Sequence, residues 1–491
     1  MAREPRPTGL SGVITIVGLG PAGLDRLSPD LAGLLRECER VISRTLEHPA
    51  ALELSRMREI ESCDDIYLEA EDFDAVYSAI ADRVLAAGTE GDVVYAVPGS
   101  PAVGERSVAE IRRRAEEAGV AVRVRSGSSF LDELFVAVGV DPLASGLQVL
   151  DARSLPYPLL LGLPTVFAQV DTSLVAGGLK GALLEVLEPD HLVTLASGLG
   201  GSEAVVRQVP LGELDHVDVG PRTSVFVDPG MVGWPGLVEV SRRLRAECPW
   251  DAKQTHHSLV RHLIEEAYEV IEVVSQLVPE APAGEVDVTA YLHLEEELGD
   301  LLLQVLFHSN LASEAGVFGI DNVAEQHRRK LIHRHPHVFG VDGGEPIEVD
   351  GAHEVEVNWE RIKQQEKDRD SLMDDVPVDM PALARGAKLQ RRAASVGFDW
   401  PDQSEVMAKL REEVAELDEA LEQEDGVAHE LGDVLFTVVN LSRHLDIDPE
   451  MALRQAVDRF SERFRKVEEA GDLAGRSAAD FNALWEQAKG S

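Results

Sequence analysis

The sequence predicts a multidomain protein: an N-terminal α/β domain followed by two all-α helical modules. Three observations predict it. At 491 residues the chain is longer than one hydrophobic core organises. From Val13 to about Asp228, short β-branched runs alternate with helical stretches. From about Leu237 onward the strands give way to long segments rich in Glu, Ala and Leu, with apolar residues three and four apart.

Taken in order, Arg3 and Arg6 precede the apolar run Val13 to Val17, which could mimic a signal peptide. Gly18, Gly20, Pro21 and Gly23 break that run, so a strand and a turn are expected. Further strands are expected at Val93 to Val97, Val120 to Val124, Leu192 to Leu195 and Ser224 to Val227. Pro-Gly and Trp-Pro-Gly punctuation between Pro229 and Pro235 closes this domain at 1–230 and predicts a linker over 231–245. A first helical module is expected at 246–367. A charged stretch leading to Val376-Pro-Val-Asp-Met-Pro381 predicts a linker over 368–380, and a second module fills 381–491.

The two modules repeat. Leu263-Ile-Glu-Glu-Ala-Tyr-Glu269 corresponds to Leu410-Arg-Glu-Glu-Val-Ala-Glu416, and Glu297-Leu-Gly-Asp-Leu301 to Glu430-Leu-Gly-Asp-Val434. Two matches in the same order indicate an internal duplication. The interval from Glu266 to Glu297 is longer than that from Glu413 to Glu430, so the first copy carries an insertion, with a loop expected at Pro279 to Gly284.

Composition narrows the function. No run approaches eighteen apolar residues, so no membrane span is expected. Cys38, Cys63 and Cys248 are far apart, with neither zinc-type spacing nor a disulfide framework, which fits a reducing cytoplasm. A net charge of −42 disfavours a nucleic-acid polymer as partner. A small anion remains acceptable where cations neutralise it.

Glu412, Glu413 and Glu416 fall at i, i+1 and i+4 of one helix, which alone describes a solvated acidic face. The next helix changes this reading. Glu430, Asp433, Thr437, Asn440 and His444 cut a polar stripe through Leu431, Val434, Leu435, Val438, Val439 and Leu441. Buried carboxylates are costly unless paired or metal-bound, and no Lys or Arg interrupts the stripe from Glu430 to Asn440. Two antiparallel helices offering carboxylates inward suit a divalent ion, and all-oxygen ligands suit Mg²⁺ or Mn²⁺. The earlier repeat offers Glu265, Glu266, Glu269, Glu297 and Asp300, then Gln304 and His308.

These quartets resemble the MazG family, as do Cys248-Pro-Trp-Asp251, His335-Pro-His-Val-Phe339, Val396-Gly-Phe-Asp-Trp400 and Phe460-x-x-Arg-Phe464. The resemblance covers about Cys248 to Trp485. It implies an all-α fold that dimerises through its helices and hydrolyses nucleoside triphosphates to monophosphate and diphosphate. It also implies nucleotide contacts from Asn440 and Trp485.

The chemistry agrees with that implication. A triphosphate would be repelled by a carboxylate-lined pocket unless Mg²⁺ bridges the two. Glu413, Glu416, Glu430 and Asp433 are the expected ligands in the later repeat, and Glu266, Glu269, Glu297 and Asp300 in the earlier one. Glu412 is the candidate general base. Arg459 and Arg463, four apart on one helix, are candidate donors to the leaving diphosphate. Lys330 and Arg334 are their counterparts for the earlier repeat, and the later repeat is favoured as the active one. Pro336 interrupts the His333, His335 and His337 series, for which a turn or interface is expected rather than a metal face.

In the N-terminal domain the first strand runs into Gly18-Leu-Gly-Pro-Ala-Gly23, a turn that lets a ligand approach the backbone. A dinucleotide site should show an acid at the end of the next strand, where Val41-Ile-Ser-Arg-Thr45 stands instead. Together with Pro98, Gly99 and Ser100, and with Ser126 and Gly127, the loop containing Gly18, Gly20, Pro21 and Gly23 resembles the tetrapyrrole methylase family. That resemblance implies S-adenosylmethionine at these loops. It departs from the family at Val97-Pro-Gly-Ser-Pro101, where a Gly-Asp-Pro-type loop is usual, so a domain that binds a ligand without catalysis stays open. Fusion of such a domain to tandem MazG modules resembles a known bacterial arrangement.

The leading expectation is a cytoplasmic, Mg²⁺-dependent nucleoside triphosphate pyrophosphohydrolase that clears non-standard nucleotides and forms a homodimer. The alternatives are an S-adenosylmethionine-dependent methyltransferase whose helical half serves dimerisation and sensing, and a purely acidic interaction surface.

Overall fold

The computed structural model describes residues 12–490 except 71, 342–343, 366–370, 470 and 472. Arg3, Arg6 and residues 368–370 of the expected second linker lie outside the described residues. The chain divides into two compact units, Met1–Val323 and Ala324–Ser491.

Among the described residues the α/β domain carries ten strands: β1 Val13–Gly18, β2 Arg40–Ser43, β3 Glu61–Ser62, β4 Val93–Val97, β5 Ala121–Arg125, β6 Gln148–Asp151, β7 Thr165–Ala168, β8 Leu192–Ser197, β9 Val205–Pro210 and β10 Thr223–Val227. The first five form a parallel sheet in the order β3-β2-β4-β1-β5. Its central strands are largely apolar because both faces are covered. Val93, Tyr95 and Val97 pack with Ile80, Val84 and Ile111 on one side. Val94 and Ala96 pack with Leu35, Ala51 and Leu54 on the other.

The remaining strands form a mixed sheet in the order β6-β7-β10-β8-β9. Phe167, Leu195 and Val225 pack on the Ser173–Leu183 helix, while Val166, Ala196 and Phe226 meet Leu134. All five strands expected from sequence are present within a residue or two.

Residues 231–245, expected as a linker, form most of a helix, Gly233–Glu247. The Trp-Pro-Gly triplet reads as a breaker, but Pro235 falls in the helix's first turn, where its missing N–H costs nothing. The start of this helix touches the α/β domain, where a Cβ on Gly162 would come within 2.9 Å of Pro235. Its far end holds the first helical hairpin through Arg245 to Glu314 at 2.7 Å and Asn310 donating to Ser241 Oγ at 2.8 Å. The first unit therefore includes that hairpin, His256–Gln276 and Val288–Glu314. Residues 246–367, expected as one module, are shared between the units, with the boundary inside the Ile320–Arg334 helix.

In the second unit the Gln403–Gln423 and Val427–His444 helices are joined by three residues, with Glu424 at φ 56° and Gly426 at φ 71°. So short a left-handed turn forces an antiparallel hairpin. Asp402 starts the first of these helices by accepting the N–H groups of Ser404 at 2.7 Å and Glu405 at 3.2 Å. Asp402→Ala leaves those donors without their cap and is expected to cost about 1 kcal/mol, read from a denaturant titration. The Ala382–Ala394 helix packs on the hairpin through Gln390, which donates to Phe436 O at 2.9 Å.

Candidate functional site

Each hairpin places carboxylates from both of its helices on one seam. In the later repeat, one oxygen each from Glu413, Glu430 and Asp433 lie within 4.8 Å of one another. Glu413 is only 6% exposed. Glu416, one turn on, hydrogen-bonds Glu413 and is held above the ordinary carboxyl range, first by desolvation and then by the Glu413 and Glu412 charges, with Lys409 opposing. Glu412 lies on the exposed side of the group, 2.8 Å from Lys409 Nζ.

In the earlier repeat the matching oxygens of Glu266, Glu297 and Asp300 also lie within 4.8 Å of one another. Glu266 is pushed up to about 7 by desolvation, by its hydrogen bond with Glu269 and by the Asp300 charge. Glu297 is raised as well, by desolvation and then by Glu269 and Asp300. Both groups concentrate negative charge that asks for a cation, and their all-oxygen donor sets match Mg²⁺ or Mn²⁺. Glu269 and Glu416 stand beside the two clusters as neighbours of Glu266 and Glu413.

Beyond Asp433 the polar stripe is satisfied internally. Arg443 donates to Asn440 Oδ1 at 2.9 Å and pairs with Asp399, which also sits 3.1 Å from His444 Nε2. Asp399 belongs to the Val396–Trp400 motif, so that motif ties down the end of the stripe. In the earlier repeat Gln304 is buried, and His308 Nδ1 lies 2.8 Å from His256 Nδ1.

Arg459 and Arg463 lie on the Pro449–Glu469 helix, where Phe460 meets Trp485 at 5.2 Å between ring centroids. Lys330 and Arg334 lie in the second unit, whereas Glu266, Glu297 and Asp300 lie in the first. The Arg334 guanidinium is 5.9 Å above the Trp359 ring, and His335 is 5.2 Å from it. His335 sits between the Ile320–Arg334 and Pro336–Phe339 helices, against an aromatic ring.

Two residues escaped the sequence reading. Trp359 stands in Trp-Glu-x-x-Lys363 as Trp485 stands in Trp-Glu-x-x-Lys489, a third match between the repeats. Lys409 sits at i−4 from Glu413, ordinary ion-pair spacing, and its Nζ is 2.9 Å from Glu413 Oε1.

In the α/β domain the loops after β1, β4 and β5 meet backbone to backbone. Gly20 and Gly99 exchange N–H to carbonyl bonds of 3.0 and 2.9 Å, both at positive φ. A Cβ on Gly18 would lie 2.5 Å from Gly99 O and 2.8 Å from Gly127 N. Pro21 abuts Gly200 of the second sheet's loop, and the Gly23 turn is held by Leu24 N donating to Glu53 at 2.9 Å. Pro98 and Ser100 flank Gly99, and Ser126 flanks Gly127, in the loops that converge on Gly18. Between the strands, buried Glu105 pairs with Arg44 at 3.2 Å. Burial pushes Glu105 up to about 7 against the opposing guanidinium.

His48 Nε2 lies 2.9 Å from Gly20 O, and burial, with help from Arg222 and Arg44, lowers this imidazole to about 4. A His with a folded value below its unfolded value of about 6.5 stabilises the fold above pH 6.5, and that stability is lost as pH falls towards 4. Between pH 6.5 and 5 the α/β domain is expected to lose about 2 kcal/mol more in wild type than in His48→Gln, followed by hydrogen exchange of the β1 and β4 amides.

The MazG nucleotide pyrophosphohydrolase domain matches residues 254–339 and 402–470, and the Tetrapyrrole (Corrin/Porphyrin) Methylases match residues 13–215. The Bacillus subtilis protein YabN is 38% identical over 501 residues, covering 98% of this chain and 99% of its own. The Thermotoga maritima nucleoside triphosphate pyrophosphohydrolase/pyrophosphatase MazG is 41% identical over 263 residues, covering 52% of this chain and 94% of its own. A Thermus thermophilus uroporphyrin-III C-methyltransferase structure aligns at TM-score 0.34 and 21% identity, over 50% of this chain and 99% of that one. The chain belongs to the MazG nucleotide pyrophosphohydrolase family, and joins two copies of the MazG carboxylate hairpin to an N-terminal tetrapyrrole methylase domain.

Proposed function

We propose that this protein is a Mg²⁺- or Mn²⁺-dependent nucleoside triphosphate pyrophosphohydrolase that clears non-standard nucleotides, releasing monophosphate and diphosphate. One observation carries the reading: two hairpins of a MazG chain each gather three carboxylates from two helices within 4.8 Å. Glu413, Glu416, Glu430 and Asp433 would hold the divalent ion in the later repeat, and Glu266, Glu269, Glu297 and Asp300 in the earlier. When bound, such an ion neutralises triphosphate charge and lowers the pKa of water.

The chain's own side chains do the rest. Glu412, on the solvent side of the cluster, accepts the proton of the attacking water. Arg459 and Arg463 donate to the departing diphosphate, while Asn440 and Trp485 hold the nucleoside.

The N-terminal loops are proposed to take S-adenosylmethionine at Gly18, Gly20, Pro21, Gly23, Pro98, Gly99, Ser100, Ser126 and Gly127, where the ends of three parallel strands converge. Homodimerisation through the helices is supported by half-exposed Leu431, Leu435 and Phe436 on the later hairpin. No described helix is long and apolar enough to cross a membrane, and the three cysteines are free thiols, which supports a reducing compartment, the cytoplasm.

Profiling standard and modified triphosphates with Mg²⁺, for wild type, Glu266→Gln and Glu413→Gln, tests the proposal. Diphosphate release lost in Glu413→Gln and retained in Glu266→Gln assigns activity to the later repeat. Release unchanged in both variants contradicts the proposal.

A further inference from the structure

The two carboxylate groups differ in their counter-ions. In the later group an ammonium stands among the carboxylates: Lys409 Nζ is 2.9 Å from Glu413 Oε1 and 2.8 Å from Glu412 Oε1. It thus neutralises the most deeply buried member of the cluster, whose side chain is 8% exposed. One turn before Glu266, the equivalent position holds His262. Its Nε2 accepts from Arg261 Nε at 3.2 Å, and its Nδ1 lies 3.5 Å from Glu265. Among the described residues, no Lys or Arg forms an ion pair with Glu266, Glu297 or Asp300.

We infer that Lys409 is an internal counter-ion that weakens binding of a free divalent cation at the later repeat and couples metal loading there to arrival of the triphosphate, whereas the earlier repeat takes the cation without nucleotide. The inference rests on the carboxylate groups being the metal sites of the proposed function. A divalent ion entering the later group meets a like charge already bonded to Glu413, and that repulsion opposes it at every ionic strength of interest. An incoming triphosphate offers the ammonium a second anionic partner. Four methylenes of flexible stem let Lys409 turn from Glu413 to a phosphate while the divalent ion takes the vacated oxygen. Among the described residues the earlier group has no such competitor, so its mutual repulsion is relieved by the cation.

Titrating the full chain with Mn²⁺, and reading the free ion by electron paramagnetic resonance, tests this with and without a triphosphate analogue bearing a methylene between its α and β phosphorus atoms. Wild type is expected to bind Mn²⁺ without nucleotide at a site that Glu266→Gln removes and Glu413→Gln leaves. Lys409→Met is expected to open a second nucleotide-free site, at least about tenfold tighter than in wild type, that an added Glu413→Gln abolishes. The analogue should produce that second site in wild type. If Glu413→Gln removes the nucleotide-free binding of wild type, or Lys409→Met leaves the later repeat's affinity unchanged, the inference is wrong. If neither Glu266→Gln nor Glu413→Gln alters Mn²⁺ binding under any condition, the metal-site reading itself fails, and the inference with it.

Discussion

Glu413→Gln and Glu430→Gln are each expected to lower Mg²⁺-dependent diphosphate release by about 10²–10³-fold, with the fold intact. Glutamine keeps the shape of the side chain and removes the charge. Glu413 is the buried member of the later cluster and comes from the Gln403–Gln423 helix, whereas Glu430 comes from its antiparallel partner. Losing Glu413 removes the buried carboxylate of the Gln403–Gln423 helix, and losing Glu430 leaves Asp433 alone on the partner helix, so either change weakens the enclosure of a hard cation and the offset of triphosphate charge. Stability should change little or rise in Glu430→Gln, because three carboxylates within 4.8 Å repel one another when no cation is bound, whereas Glu413→Gln also gives up the Lys409 ion pair. Loss of activity with an unchanged or raised unfolding midpoint separates a chemical role from a structural one.

Gly127→Ala is expected to destabilise the α/β domain by about 3 kcal/mol, in a region remote in sequence from the hydrolase motifs. A Cβ at 127 would lie 2.4 Å from Gly18 O and 2.6 Å from Gly18 C. Those are backbone atoms of the strand-to-turn junction after β1, so nothing flexible can give way. The turn is fixed from two further sides, by Gly20 pairing with Gly99 and by the His48 contact to Gly20 O. Protease sensitivity of residues 12–125, compared with wild type, reads the effect. Unchanged protection would mean that the three loops separate at little cost.

The carboxylate hairpins were legible because duplication writes the same spacing twice, and because Glu430 and Asp433 sit in a helix otherwise made of Leu and Val. The parallel sheet was legible because β1 and β4 are buried on both faces and so read as unbroken apolar runs. Strands β6 and β9 were missed for the opposite reason, lying at the sheet edges with half-exposed residues such as Val149, Val205 and Val206. The helical form of residues 233–247 is hard to read from sequence because a proline in a first turn looks like a breaker until the register is known. Lys409 is not legible in the periodicity of the Glu430–His444 stripe, because its ammonium comes from the neighbouring helix. His444 was read as the tail of that stripe, but its partner Asp399 lies far back in sequence, where no helical periodicity connects them.

Product analysis tests the central claim most directly: wild type, Glu413→Gln and Glu430→Gln are incubated with Mg²⁺ and a nucleoside triphosphate, and the nucleotide and phosphorus products are separated. Equal amounts of monophosphate and intact diphosphate from wild type, lost in both variants, are the predicted result. Formation of nucleoside diphosphate and inorganic phosphate, or undiminished diphosphate release from both variants, would contradict it.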